Sequence, residues 1–182
     1  MGVKKVLLML LITLISISFT WSNSGTSVFE KYPTSIGGFF GEIGGMGLSY
    51  QKWLYPLGFE ISGGLTYVPP DSIQAPEEFF TYNLGFQIMY TIIANDITDW
   101  LSGNLYSFGG FIHYGYLYIS GTSKTPVYAS DLGVGAGFGI ETVLLKHFSF
   151  PLEFGLDTIW TLGNLYPKKA GFFAQGGFRY RF

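Results

Sequence analysis

A chain of 182 residues that is 48% hydrophobic, 19% aromatic and only 12% charged lacks the surface of an ordinary soluble domain, where about 25% of residues carry charge. Ten Lys and Arg against twelve Asp and Glu leave a net charge of −2, which argues against a nucleic-acid partner, and the aromatic content excludes a disordered chain. The absence of cysteine excludes disulfides, zinc–thiolate sites, thiol nucleophiles and a lipidated N-terminal cysteine.

Lys4 and Lys5 form a short basic start, and Val6 to Phe19 follows as an almost unbroken apolar run. The run is shorter than the roughly 20 residues that span a bilayer as a helix, and Thr20 and Ser22 are small residues at its end. This predicts a secretory signal peptide over 1–22, with cleavage near Ser22–Asn23 and one domain over 23–182. Bulky Trp21 leaves an uncleaved anchor as the alternative.

Beyond the leader no segment approaches the length of a membrane helix, and the hydrophobicity alternates with period two. Two weaker strands are predicted near Ser35–Glu42 and Met46–Leu54. Over Leu57–Val68 the odd positions Leu57, Phe59, Ile61, Leu65 and Tyr67 are apolar and the even ones small or polar, among them Glu60. Thr81–Ile93 sets Tyr82, Leu84, Phe86, Ile88, Tyr90 and Ile92 against Asn83, Gly85, Gln87 and Thr91. Leu105–Tyr118 is read with Tyr106, Phe108, Ile112, Tyr114, Tyr116 and Tyr118 on the apolar face, opposite Ser107, Gly109, His113 and Gly115. Asp131–Leu144 places Leu132, Val134, Ala136, Phe138 and Ile140 opposite Asp131, Gly133, Gly135, Gly137, Gly139 and Glu141. His147–Trp160 places Phe148, Phe150, Leu152, Phe154, Leu156 and Trp160 opposite His147, Ser149, Glu153 and Asp157. Ala170–Phe182 sets Phe172, Phe178, Tyr180 and Phe182 against Gln175, Gly177, Arg179 and Arg181.

These runs are long for globular strands and fit tilted membrane strands of about 9–11 residues with extensions. Tight turns at Tyr55–Pro56 and Leu145–Lys146 alternate with longer polar segments at Pro69–Phe80, Ile119–Ser130 and Gly163–Lys169, as periplasmic turns alternate with external loops in a bacterial barrel. Asn95–Trp100 reads as long for a periplasmic turn, and the Gly44–Gly45 loop as short for an external one.

The ending Gly177-Phe178-Arg179-Tyr180-Arg181-Phe182, aromatic at alternate positions with Phe last, resembles the C-terminal strand of bacterial outer-membrane barrels. The resemblance implies that Phe178, Tyr180 and Phe182 serve as an assembly signal read by the barrel-assembly machinery. With its leader and eight amphipathic runs, the chain resembles the small barrels of the OmpA and OmpX kind. This implies an all-β, eight-stranded antiparallel up-and-down transmembrane β-barrel, located in the outer membrane. It implies no activity.

A closed barrel is the only sheet that leaves no backbone edge unpaired in hydrocarbon, so the apolar faces are expected to point outward. Tyr67, Tyr82, Tyr116, Tyr118, Trp160 and Phe172 are then expected in an external aromatic girdle, and Tyr90, Tyr106, Phe148, Tyr180 and Phe182 in a periplasmic one. In a soluble lipocalin-like binder, the alternative, the apolar face would line the interior and a glycine-rich face with few charges would meet water.

Glu60, Glu141, Glu153, Asp157, Arg179 and Arg181 fall on the inward face, with Gln51, Gln87, Gln175, His113 and His147. A narrow barrel is filled by its own side chains and buried charges must pair, so an internal charge network is expected rather than acid–base catalysis. The ion pairs are expected near the periplasmic end, where Glu60, Glu141, Arg179 and Arg181 fall at matching heights. His147-Phe148-Ser149 carries the spacing of the His-x-Ser pair in a lipid A deacylase family of similar barrels, but it faces the lumen beside a turn, and no Glu lies near Thr161. The glycines of Gly133–Gly139 either make room for Phe111, Phe173, Trp53 and the arginine heads or leave a cavity. Two separated histidines give no metal constellation, and no cofactor is expected.

The sequence therefore predicts a monomeric, non-enzymatic barrel in contact with outer-membrane lipid, with a structural or surface-interaction role. Narrow, porin-like passive permeation is the alternative, ahead of a lipid A-modifying enzyme.

Overall fold

The computed structural model describes residues 27–69, 78–119, 126–162 and 167–182. The predicted leader and the centres of the three long loops lie outside the described residues. A four-residue helix, α1 (Val28–Lys31), precedes eight strands: β1 (Thr34–Phe40), β2 (Met46–Leu54), β3 (Leu57–Val68), β4 (Glu78–Thr98), β5 (Leu101–Ile119), β6 (Pro126–Leu144), β7 (Phe148–Thr161) and β8 (Pro167–Arg181). Consecutive strands pair antiparallel and β8 returns to β1, which closes the barrel.

The period-two pattern decides which way each strand faces. On β3 and β7, Leu57, Ile61, Leu65, Phe148, Phe150, Leu152, Phe154 and Leu156 are exposed on the outside, while Glu60, Ser62, Ser149 and Glu153 are buried inside. The barrel is thus apolar outside and polar within, the opposite of a lipocalin-like arrangement.

The short turns and the chain's C-terminus lie at one end of the barrel, hereafter the turn end; the longer connections lie at the other, the loop end. At the turn end β2 and β3 are joined by Tyr55–Pro56, and β6 and β7 by a turn in which Leu145 and Lys146 take left-handed φ values of 51° and 68°. The segment Asn95–Trp100 is not a long turn. β4 runs on to Thr98 and β5 begins at Leu101, and the Thr98 hydroxyl accepts from the Leu101 amide at 3.1 Å across the corner. The sequence concealed this because β4 carries register shifts at Thr91/Ile93 and Asp96/Thr98, which break the alternation. Ile93, rather than the neighbouring Ile92, is consequently the exposed residue.

β5 faces the opposite way from its predicted orientation. Tyr106, Phe108 and Ile112 are buried in the lumen, whereas Leu105, Phe111 and Leu117 are outside, Phe111 being 46% exposed. Both faces of this strand are bulky, so alternation alone could not orient it. What orients it is β6, whose inward face is glycine: a Cβ on Gly139 would lie 2.4 Å from the Tyr106 ring, and one on Gly133 would lie 2.8 Å from Ile112. Large side chains of one strand fill the space left by the glycines of the next.

The wall is uneven in height. The β2–β3 ladder stops at Leu48↔Gly63 and the β1–β8 ladder at Phe40↔Gly176, while β3–β4, β5–β6 and β7–β8 climb to Val68↔Phe79, Ile119↔Pro126 and Trp160↔Pro167. The first hairpin is therefore the low side, and its tip, residues 41–45, bends into the lumen.

Candidate functional site in the barrel lumen

Two arginines on β8 organise the lower lumen. Arg181 reaches Glu141 of β6 at 2.5 Å and Gln51 of β2 at 2.9 Å, and its second terminal nitrogen donates to the Tyr32 carbonyl at 3.0 Å. Glu141 also accepts from the Ser149 hydroxyl and, at 3.2 Å, from the Trp53 indole. One level higher, Arg179 pairs with Glu60 of β3; its Nε donates to Ser49 at 2.9 Å, and Ser49 donates to Glu60 at 2.8 Å. All four charged side chains of these pairs are 0% exposed. At that burial each ion is tolerable only because opposite charge and hydroxyl or amide groups meet it directly.

Of the six charged residues expected in the network, the structure joins these four into two ion pairs. Glu153 is buried nearby but takes no arginine: it accepts from the Tyr106 hydroxyl at 2.6 Å and from the Gln175 amide at 2.5 Å. Asp157 lies above it and makes no ion pair among the described residues. Tyr106, placed in a girdle by the sequence, is instead a lumen hydrogen-bond donor. Ser35, Ser49, Ser149 and Trp53 are further members that the sequence reading left out. The inward parity of the serines was a usable signal, since a small hydroxyl beside a buried carboxylate is a ready donor.

Helix α1 closes the turn end. Val28 and Phe29 are buried, the Phe29 ring packs edge-on to Trp53 at 6.4 Å, and the Arg181 guanidinium lies 4.9 Å from the Phe29 ring centre. The Val28 amide donates to Asp96 at 3.3 Å. Burial, and the nearby Glu30 carboxylate of α1, push the Tyr55 phenol above its ordinary pKa.

The tip of the first hairpin fills the upper lumen. Ile43 is fully buried, the Ile43 and Gly44 amides donate to Gln175 Oε1 at 3.1 and 3.2 Å, and the Ser62 hydroxyl donates to the Gly44 carbonyl. The Tyr114 hydroxyl donates to the Glu42 carbonyl at 3.2 Å, and Lys169 pairs with the Glu42 carboxylate at the rim. Gly45 and Gly47, with φ of 93° and 136°, supply the left-handed backbone that turns the tip inward. A Cβ on Gly135 would stand 2.8 Å from Ile43, and one on Gly85 would stand 2.1 Å from the Gly44 carbonyl. The inward glycines thus accommodate a loop as well as side chains. Phe173 and Trp53 lie inside as expected, but Phe111 does not.

His113 points outward, its ring 5.6 Å from that of Tyr82, because β5 is inverted. His147 sits in the β6–β7 turn, stacked on Tyr180 and bonded through Nδ1 to the Arg181 carbonyl at 2.8 Å, while the Ser149 hydroxyl is engaged by Glu141. The two do not form a base–nucleophile pair. Among the described residues no three acidic or histidine side chains gather as a metal site. Tyr67, Phe172, Tyr90, Phe148, Phe178, Tyr180 and Phe182 are exposed on the outside, with Tyr82 and Trp160 partly so. Tyr116 instead leans to Asp131 and Lys168, and the Tyr118 side chain lies outside the described set.

No protein-family model matches the chain, and no curated protein matches it. Among solved structures, the chain is similar to the N-terminal β-barrel domain of Pseudomonas aeruginosa OprF, with a TM-score of 0.50 and 16% identity over 83% of this chain and 98% of that one. Ail, the attachment invasion locus protein of Yersinia pestis, aligns with a TM-score of 0.40 and 14% identity over 82% of this chain and 94% of that one. At such identities the likeness to OprF is one of fold, and the fold is that of the outer-membrane transmembrane β-barrels.

Proposed function

We propose that the protein is an integral outer-membrane barrel, closed to ions and solutes, which acts through its structure and its loop-end surface rather than by catalysis. The observation that carries this reading is the filling of the lumen: α1 at the turn end, two fully buried ion pairs above it, and the hairpin tip above those. In this reading the turn end faces the periplasm, the outward aromatics meet lipid and its interface, and Phe178, Tyr180 and Phe182 are the surface presented to the barrel-assembly machinery. A filled barrel of this kind acts as a monomer. The engaged Ser149 and the turn-bound His147 favour it over a lipid A-modifying enzyme.

Refolded protein in a planar lipid bilayer tests the reading: no conductance above the lipid background is expected, and stable unitary current steps would overturn it. A change in lipid A acyl composition on expression in cells would overturn the non-enzymatic part.

A further inference from the structure

The hairpin tip is held differently from everything else in the lumen. Its single apolar side chain is Ile43, which enters over Gly110, Gly133 and Gly135 and packs in the apolar cluster with Ile112 and Phe173. The Phe39 ring lies against Gly41 and Gly44, and the tip's polar contacts are hydrogen bonds to Gln175, Ser62 and Tyr114 and the rim pair with Lys169, which water can replace. The β2–β3 ladder has already ended below it, and Met46 is bound to the Asn83 side chain of β4, at 2.6 and 2.9 Å. The wall on this side is low, so the tip has room to swing back between its glycines.

Beside the apolar cluster, polar groups also lie behind the tip. Gln87 is fully buried and directed at Gly44, and among the described residues neither its amide nitrogen nor its amide oxygen has a hydrogen-bond partner. Asp157 is 5% exposed and lies opposite Gly135, on which Ile43 rests; the Gly171 amide and nearby Lys169 stabilise it, but it makes no direct ion pair among the described residues. Gln175 would be freed of both loop amides. A loop that covers an unsatisfied amide and a buried carboxylate without a direct ion pair sits over groups whose bonding a ligand could complete.

We propose that residues 41–45 are a displaceable plug, latched by Lys169 and Glu42, whose withdrawal opens a blind pocket at the loop end for a small cationic solute held by Asp157, Gln87 and Gln175. The pocket is blind because the Arg179–Glu60 and Arg181–Glu141 layers remain beneath it. The inference is therefore compatible with a barrel that conducts nothing, and it does not depend on that reading.

The chain contains no cysteine, so one introduced thiol is an unambiguous reporter. Ile112 is fully buried beside Gly133, where Ile43 also packs, and can be reached only when the plug leaves. The full chain carrying Ile112→Cys, refolded in phosphatidylcholine vesicles, is treated with a trimethylammonium methanethiosulfonate or with its sulfonate counterpart. Leu162→Cys, on the exposed rim, serves as the reference for each reagent.

The cationic reagent is expected to modify Ile112→Cys roughly tenfold faster than the anionic one, relative to the reference, because a carboxylate in a narrow cleft concentrates cations. Asp157→Asn should remove that preference. Lys169→Gln should accelerate both reagents by roughly fivefold, the factor that an exposed ion pair commands. Complete protection of Ile112→Cys while Leu162→Cys reacts would overturn the plug, and equal relative rates for the two reagents would overturn the cationic assignment. Ile159→Cys, which also borders Gly133, repeats the test if Ile112→Cys fails to show the folded, heat-modifiable band.

Discussion

The two halves of the lumen are filled with different material. In the half near the turns, long side chains of the wall itself, Arg179, Arg181, Glu60, Glu141, Trp53 and Tyr106, meet in the middle and satisfy one another. In the half near the loops the wall offers glycine, and the backbone of the first hairpin fills the space. The first kind of filling belongs to the strands and cannot leave without unfolding them. The second is tethered at its ends and held by one apolar side chain, Ile43, and by hydrogen bonds that water can replace. Stability should therefore be concentrated at the turn end, and any change of shape at the loop end.

Substitutions can break that contrast, and the largest effect is expected at Arg179. Arg179→Met leaves Glu60 buried with only Ser49 as donor, and should cost about 3–5 kcal/mol in urea unfolding from lipid vesicles. A loss near zero would mean that the lower half is not held by its charges.

Next is Ile43→Ala, which removes the sole apolar anchor of the plug and should cost about 2 kcal/mol, at the low end for such truncations because the glycine floor and the mobile tip can adjust. A loss as large as that for Arg179→Met would show that the upper filling is as integral as the lower.

Gly135→Ala sharpens the comparison from the other side. Its Cβ would stand 2.8 Å from Ile43 and 3.0 Å from the Leu156 carbonyl, so a cost of about 1–2 kcal/mol is expected, accompanied by faster thiol modification of Ile112→Cys as the plug is pushed out.

The smallest effect is expected for Lys168→Gln: its side chain is 59% exposed, and Asp131, though nearly buried, keeps its Thr161 and Tyr116 partners, so the 2.8 Å pair is worth about 0–1 kcal/mol. It should weaken further with added salt.

The same contrast explains what could be read from the sequence. β3, β7 and β8 have one apolar and one polar face, so their orientation and the inward arginines and glutamates followed from period two alone. β5 has bulky residues on both faces, and its orientation is decided by the glycines of β6, a relation between strands that no single strand displays. That error displaced Tyr106, Phe111, Tyr116 and His113 together. The plug was not legible because Gly41-Glu42-Ile43-Gly44-Gly45 has the composition of an ordinary turn; its inward course depends on Gly85, Gly110, Gly133 and Gly135, contributed by β4, β5 and β6. Helix α1 was missed because four residues are too few to show a helical period.

The central claim is that opposed charges from distant strands meet across the lower lumen, and a double-mutant cycle on Glu141 and Arg181 tests it most directly. Urea unfolding of Glu141→Gln, Arg181→Met and the double mutant, each in the same lipid vesicles, gives the coupling energy. A loss in the double mutant smaller than the sum of the two single losses by at least about 1.5 kcal/mol is predicted, because removing both charges leaves no buried ion unpaired. Strictly additive losses would mean that the two side chains do not meet, and would contradict the account.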